Sequence, residues 1–278
     1  MSIIDFRFRP NTQENLNSIA SSKMYSELCK AIGFDKQKAE TIAEIARWLA
    51  ESNVVKAVIN GRDCETTFSS VANGNAALLD YCDASPGRMI GFWGIDPHKG
   101  LRSIYDLSSA VQDNEGIQGA SVDPYLAKIY ANDARYYPFY AKCCELDIPV
   151  IITTGSASFI PETVIDHAAP KYIDFVARDF PELKIVMSHA GYPWVNEAII
   201  VAQRNKNVYL DMSEYEEWPQ SDIYVKAANT IIGEKILFAS AHPFVNFHEQ
   251  LNRYKALPFD EAVYKNVMYN NAANVLGL

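Results

Sequence analysis

Eight short runs of apolar and β-branched residues alternate with stretches of helical periodicity along the chain, and this alternation narrows the fold more than any other feature. The runs are Ser2 to Phe8, Val54 to Asn60, Met89 to Ile95, Ile117 to Val122, Pro149 to Thr153, Lys184 to Ser188, Val208 to Asp211 and Lys235 to Ala239. Between and after them the spacing predicts helices over Gln37 to Glu51, Ala72 to Ala84, Leu101 to Asn114, Asp133 to Leu146, Tyr172 to Asp179, Trp194 to Gln203 and Tyr224 to Ile232, then near His248 to Tyr254 and Asp260 to Leu276. Strands joined by helices pair in parallel, and eight such units close a barrel. No linker-like stretch or shift of composition marks a boundary, and no G-x-G-x-x-G follows a strand, which removes support for a dinucleotide fold. The expectation is an α/β chain forming a single (β/α)8 TIM barrel over residues 1–278. The segment Asn11 to Phe34 is longer than an ordinary βα loop and is a candidate lid inserted after the first strand.

A hydrophobic content of 49% with 12% aromatic residues provides for a large core and excludes intrinsic disorder. The charge is −9, from 25 Lys and Arg against 34 Asp and Glu, with no basic cluster. That balance disfavours nucleic acid or an anionic membrane as partner and points to a small molecule. The five cysteines form no CxxC pair and no zinc-like spacing, as expected of reduced thiols. There is no basic segment followed by an apolar one at the N-terminus, and no apolar run approaches the ~18 residues of a membrane span. A soluble, cytoplasmic protein is expected.

In barrels of this kind the chemistry lies at the C-terminal ends of the strands. The first strand ends Asp5-Phe6-Arg7-Phe8-Arg9, and a period of two places Asp5, Arg7 and Arg9 on one face, with Phe6 and Phe8 turned toward the helices. Two guanidiniums at a barrel mouth either close an ion network with Asp5 or clamp an anionic substrate group. The sixth strand delivers His189 and the eighth His242, both candidate acids or bases. His98, His167 and His248 read as capping or surface residues. Thr153 and Thr154 end the fifth strand with two hydroxyls, and Asp123 and Glu214 follow the fourth and seventh as candidate general bases. Arg62 and Asn73 follow the second strand and suit an acidic ligand. The run Tyr136 to Tyr140 reads as packing.

Several ordered landmarks carry a resemblance: Ile4-Asp5; Gly91-Phe92; Asp96-Pro97-His98-Lys99-Gly100; Asn132-Asp133-x-Arg135-x-Tyr137-Pro138; Ile148-Pro149-Val150 through Gly155; Ser188-His189-Ala190-Gly191-Tyr192-Pro193-Trp194; and Leu237-Phe238-Ala239-Ser240 before Pro243. Over nearly its whole length the sequence resembles the amidohydrolase superfamily, in the branch that holds aminocarboxymuconate-semialdehyde decarboxylase, resorcylate decarboxylases and related hydratases. Metal-bearing members of that branch use D-x-H-x-H on the first strand, histidines on the fifth and sixth, and an aspartate on the eighth. Here Arg7 and Arg9 replace both first-strand histidines, Thr153 takes the fifth-strand place and Ala241 the eighth-strand aspartate, leaving His189 alone. Arginine cannot ligate a cation, so the expectation is no metal and no other cofactor. The superfamily contains metal-independent lactonases and lactone isomerases, which makes an arginine-based site chemically reasonable.

The resemblance implies a metal-independent hydrolase acting on a small carboxylated cyclic substrate such as a lactone. In that reading Arg7 and Arg9, with Arg62, Asn73, Thr153 and Thr154, bind the anion. His189, titrating near neutrality and helped by His242, Asp123 or Glu214, handles the proton. A decarboxylase or other lyase on an aromatic or unsaturated acid is the second reading, and a non-catalytic binder of the same ligands the third. Relatives are often dimers, and Trp194 and Trp218 are candidate contacts of a homodimer.

Overall fold

The apolar runs form strands because each is short, rich in β-branched residues and buried along nearly its whole length. The computed structural model describes every residue except 69–73, 156–159 and 161. In chain order the elements are β1 (Ile3–Phe8), α1 (Gln13–Ser21), α2 (Ser26–Ile32), α3 (Ile42–Glu51), β2 (Val54–Asn60), α4 (Asn75–Ala84), β3 (Met89–Gly94), α5 (Leu101–Asp113) and β4 (Ile117–Val122). There follow α6 (Pro124–Ala127), α7 (Tyr137–Glu145), β5 (Val150–Thr153), α8 (Lys171–Asp179), β6 (Ile185–Ser188), α9 (Val195–Arg204), β7 (Val208–Asp211), α10 (Asp222–Ala228) and β8 (Ile236–Leu237). The chain ends in α11 (Phe247–Ala256), α12 (Glu261–Lys265), a π-helical turn (Asn266–Asn270) and α13 (Asn271–Leu276).

The strands pair in parallel in sequence order, β1 to β8. The sheet closes where Phe6 N–H donates to the Phe238 carbonyl and Ala241 N–H to that of Arg7, each at 2.9 Å, so the chain is a (β/α)8 TIM barrel. Alternating strand residues divide the core in two. Ile4, Phe6, Val58, Phe92, Ile151 and Val186 fill the barrel interior, plugged from below by Ala272, Ala273 and Val275 of α13. The opposite faces pack against the surrounding helices.

Phe6 therefore does not lie against the helices as the strict period of two implies. The register of β1 slips between Asp5 and Phe8, where Arg7 N–H turns to Asp5 Oδ1 at 3.1 Å. That irregularity lets Phe6 enter the interior, Arg7 reach the mouth and Phe8 pack outward. Other boundaries move for local reasons. Helix α3 starts at Ile42, not Gln37, because Thr41 and Glu44 form a reciprocal capping box. Asp133 lies outside any regular element and residues 134–136 form a turn instead of the first turn of α7, and the last helical stretch is broken by the π-helical turn. The candidate lid is ordered, with α1 and α2 joined by a 3-10 turn (Lys23–Tyr25). Among the described residues no helix is long and apolar enough to cross a membrane.

Candidate active site

A cavity of about 230 Å³ opens at the C-terminal ends of the strands. Its floor carries three guanidiniums. Arg7 and Arg9 come from β1 and the residue just after it, and Arg62 from the turn after β2. The backbone of Arg62 lies so close to β3 that a Cβ on Gly94 would fall 2.6 Å from it, so a glycine is needed there. All three arginines are at least 95% buried. Arg7 Nη1 donates to Ser188 Oγ at 2.6 Å, and Arg62 Nε donates to the buried Asp123 carboxylate at 3.2 Å. Among the described residues, Arg7 Nε, Arg9 Nε and Nη1, and Arg62 Nη1 are buried with no hydrogen-bond partner. Aromatic rings close over two of the groups: Phe244 lies 5.2 Å from Arg9, and Tyr25 of the insertion lies 5.5 Å from Arg62. Burial, then the like charges of Arg7 and Arg62, hold Arg9 well below the ordinary arginine range. Burial also opposes the charge on Arg62, but Asp123 outweighs it and raises that group.

His189 faces these charges from the end of β6. Its Nδ1 lies 2.8 Å from the Ser213 carbonyl, which can only accept, so in the neutral ring the proton sits on Nδ1 and Nε2 keeps its lone pair. Burial, then the repulsion of Arg7, hold the imidazole well below its ordinary range. His189 is therefore neutral at pH 7, and it titrates below the neutral range expected from sequence because it is buried and because charging it would place another cation beside the arginines. Glu214 reaches the cavity from the loop after β7. Burial raises its carboxyl above the usual range, against the pull of Arg7, Arg9 and Arg62. His189, Ala190, Glu214 and Ala241 all have positive φ, between 49° and 73°. Backbone strain of this kind gathers where a side chain must be aimed rather than merely packed.

The amidohydrolase family model, Amidohydro_2, matches residues 49–278. The chain belongs to the amidohydrolase family. No curated protein matches it. Among solved structures this amidohydrolase is similar to an uncharacterised TIM-barrel protein from Bordetella bronchiseptica, at 25% identity and a TM-score of 0.82 over 100% of this chain and 99% of the other. It is also similar to a dihydroxybenzoic acid decarboxylase from Polaromonas sp. JS666 with bound manganese and the inhibitor 2-nitroresorcinol, at 19% identity and 0.67 over 100% and 97%. A probable 2-pyrone-4,6-dicarboxylic acid hydrolase from Acinetobacter baumannii, with citric acid bound, aligns at 16% identity and 0.69 over 100% of both chains. The last two likenesses show the fold alone.

The residues of this amidohydrolase do not fit a divalent metal. Where relatives are expected to place histidines, Arg7 and Arg9 bring permanent cations without a lone pair, and Ala241 has no donor at all. Among the described residues no three His, Cys, Asp or Glu side chains converge as a cation would need.

Of the residues singled out from sequence, Arg7, Arg9, Arg62, Thr154, His189 and Glu214 meet at the cavity. Thr154 is spoken for: its hydroxyl donates to the Ser188 carbonyl at 2.7 Å and accepts from Gly191 N–H at 2.9 Å, bracing the turn that carries His189. Asp123 stands behind Arg62 as its counter-ion and does not line the cavity. Thr153 is buried in the strand pairing with Ser188. His242 leaves the site altogether: its ring stacks on Phe8 at 5.2 Å and meets Trp48 edge-on, because the loop after β8 folds outward over α3. Asn73 lies outside the described residues. Sequence reasoning misses three members of the aromatic wall, Tyr25, Tyr125 and Phe244, while Tyr215, a phenol after the seventh strand, and Trp218, a candidate dimer contact, also line the mouth. Position after a strand end is the available signal, but an aromatic side chain there reads equally well as core.

Proposed function

We propose that this amidohydrolase opens a small carboxylated cyclic ester, a lactone, by hydrolysis that uses arginine charge in place of a divalent metal. The observation that carries the reading is a neutral imidazole at the cavity, its proton on Nδ1, among three buried guanidiniums that keep N–H groups with no partner among the described residues. Arg9 and Arg62 hold the substrate carboxylate, and the flanking rings of Tyr25 and Phe244 cover a planar substrate. His189 Nε2 takes a proton from water as the water oxygen bonds to the ester carbonyl carbon. Arg7 donates to the oxyanion that forms. When the carbon–oxygen bond of the ring breaks, the imidazolium returns its proton to the leaving oxygen, and the product is an open-chain acid. Glu214 tempers the positive charge of the cavity and is a second proton carrier.

A decarboxylase is the alternative supported by the activities of several structural neighbours, such as the dihydroxybenzoic acid decarboxylase. We also propose a homodimer in solution. Product analysis on a panel of carboxylated 2-pyrones and butenolides separates the chemistries, since hydrolysis adds one water and decarboxylation releases carbon dioxide. His189→Gln is expected to lower turnover by roughly 10²–10⁴-fold, the range for a lost general base, while calorimetry shows carboxylate affinity little changed. The kcat/KM profile is expected to run level through pH 6.5, because His189 is already neutral there. Unaltered turnover in that variant removes the histidine from the mechanism.

A further inference from the structure

The last residue of β7 holds a buried carboxylate that does not line the cavity yet touches both ends of the His189 geometry. Asp211 is fully buried and does not line the cavity. Its Oδ1 accepts from His189 N–H at 3.3 Å, from Ser213 N–H at 3.1 Å and from the Ser213 hydroxyl. The first contact pins a residue at φ 64°, and the second fixes the peptide just before the carbonyl that receives the imidazole proton. The third sets the direction of a hydroxyl. A carboxylate only accepts, so the Ser213 O–H points at Asp211 and presents lone pairs to His189 Nδ1, 3.2 Å away. Both Ser213 atoms at Nδ1 are then acceptors, and only the tautomer with its proton on Nδ1 satisfies them.

We propose that Asp211 is the positioning residue of His189: acting through Ser213, it locks the imidazole in the Nδ1–H tautomer and so keeps Nε2 open to the cavity. The inference rests on the reading of His189 as the base, but its structural content is separately measurable. An amide at position 211 can donate to the Ser213 oxygen, which frees the hydroxyl to donate to Nδ1, and its oxygen holds the Ser213 N–H less strongly than a carboxylate does, which loosens the carbonyl that receives the Nδ1 proton; the two changes together open the opposite tautomer.

The test is nitrogen-15 NMR of histidine-labelled full-length protein, with His189 assigned by His189→Gln. In the wild type, Nδ1 is expected to resonate as protonated and Nε2 as unprotonated. Asp211→Asn is expected to show shifts averaged between two tautomers, and Ser213→Ala a smaller displacement in the same direction, with His242 unmoved in both. On a hydrolysed lactone, kcat in Asp211→Asn is expected to fall at least about tenfold with KM little changed, as for other outer groups that orient an imidazole. A single Nδ1–H tautomer retained in both variants overturns the proposal. If Asp211→Asn does not fold, the Ser213→Ala spectrum decides alone. Absence of lactone turnover in the wild type counts against the proposed function, while the NMR spectra still decide whether Asp211 sets the tautomer.

Discussion

Arg9 shows most plainly what a residue gives up for its place in this molecule. The residue is 2% exposed, its guanidinium has Nε and Nη1 without partners among the described residues, and it is held well below its ordinary range by burial and by two other arginines. A charge in that state destabilises the fold that contains it. Replacing buried ionic groups with apolar ones of similar volume is often neutral or stabilising by about 1–4 kcal/mol. Arg9→Met is accordingly expected to raise the melting temperature by several degrees in a thermal scan while affinity for carboxylates drops. A lower melting temperature would show instead that Glu214 already compensates the charge. The sequence reveals that Arg7, Arg9 and His189 stand at strand ends, because charged residues on an otherwise apolar strand are conspicuous. It does not reveal that Asp5 faces Ser240 N–H at 2.9 Å across the seam of the barrel, because that contact spans 235 residues. Nor does it expose the pull of Asp211 on His189, which depends on two strand ends being neighbours.

At the level of elements, the loop after β8 decides against the sequence. A histidine following the last strand reads as a second catalytic group, but its ring is inserted between Phe8 of β1 and Trp48 of α3. Burial pushes it down to about 3, below its ordinary value of 6.5. The unfolded chain therefore binds a proton between those two values that the folded protein refuses. Stability from this group is present above pH 6.5 and is lost as pH falls toward 3, at up to about 1.4 kcal/mol per unit. His242→Phe is expected to lose less stability than the wild type between pH 6.5 and 4 in urea titrations. Parallel acid sensitivity in both proteins would place the titrating group elsewhere. Strand positions are legible because each run is short and apolar, whereas helix starts depend on single capping contacts such as that between Thr41 and Glu44. The insertion is visible as excess length, but its role as a wall, with Tyr25, Leu28 and Ile32 on the cavity, requires the folded neighbours.

Across the whole molecule, eight strand ends converge on a single mouth, and the charge gathered there is positive in a protein whose net charge is −9. A divalent cation entering that mouth meets three fixed guanidiniums against one histidine and one carboxylate, so elemental analysis of protein purified without chelator is expected to find less than stoichiometric Zn, Mn, Fe or Co. Turnover is expected to be unchanged by chelator or added metal. One metal per chain, lost with His189, would restore metal-dependent chemistry to consideration. The barrel itself was written in the sequence, since a repeating pattern of short apolar strands and amphipathic helices leaves few other ways to bury both sets of faces. The identities of the strand-end residues were also there to be read, because local alternation places them. What only the tertiary structure decided was which of those residues meet. Arg7, Arg9, Arg62, His189 and Glu214 share one cavity and His242 does not, because a slip in β1, a close approach at Gly94 and the outward path of one loop arise from packing among distant segments, which no local pattern encodes.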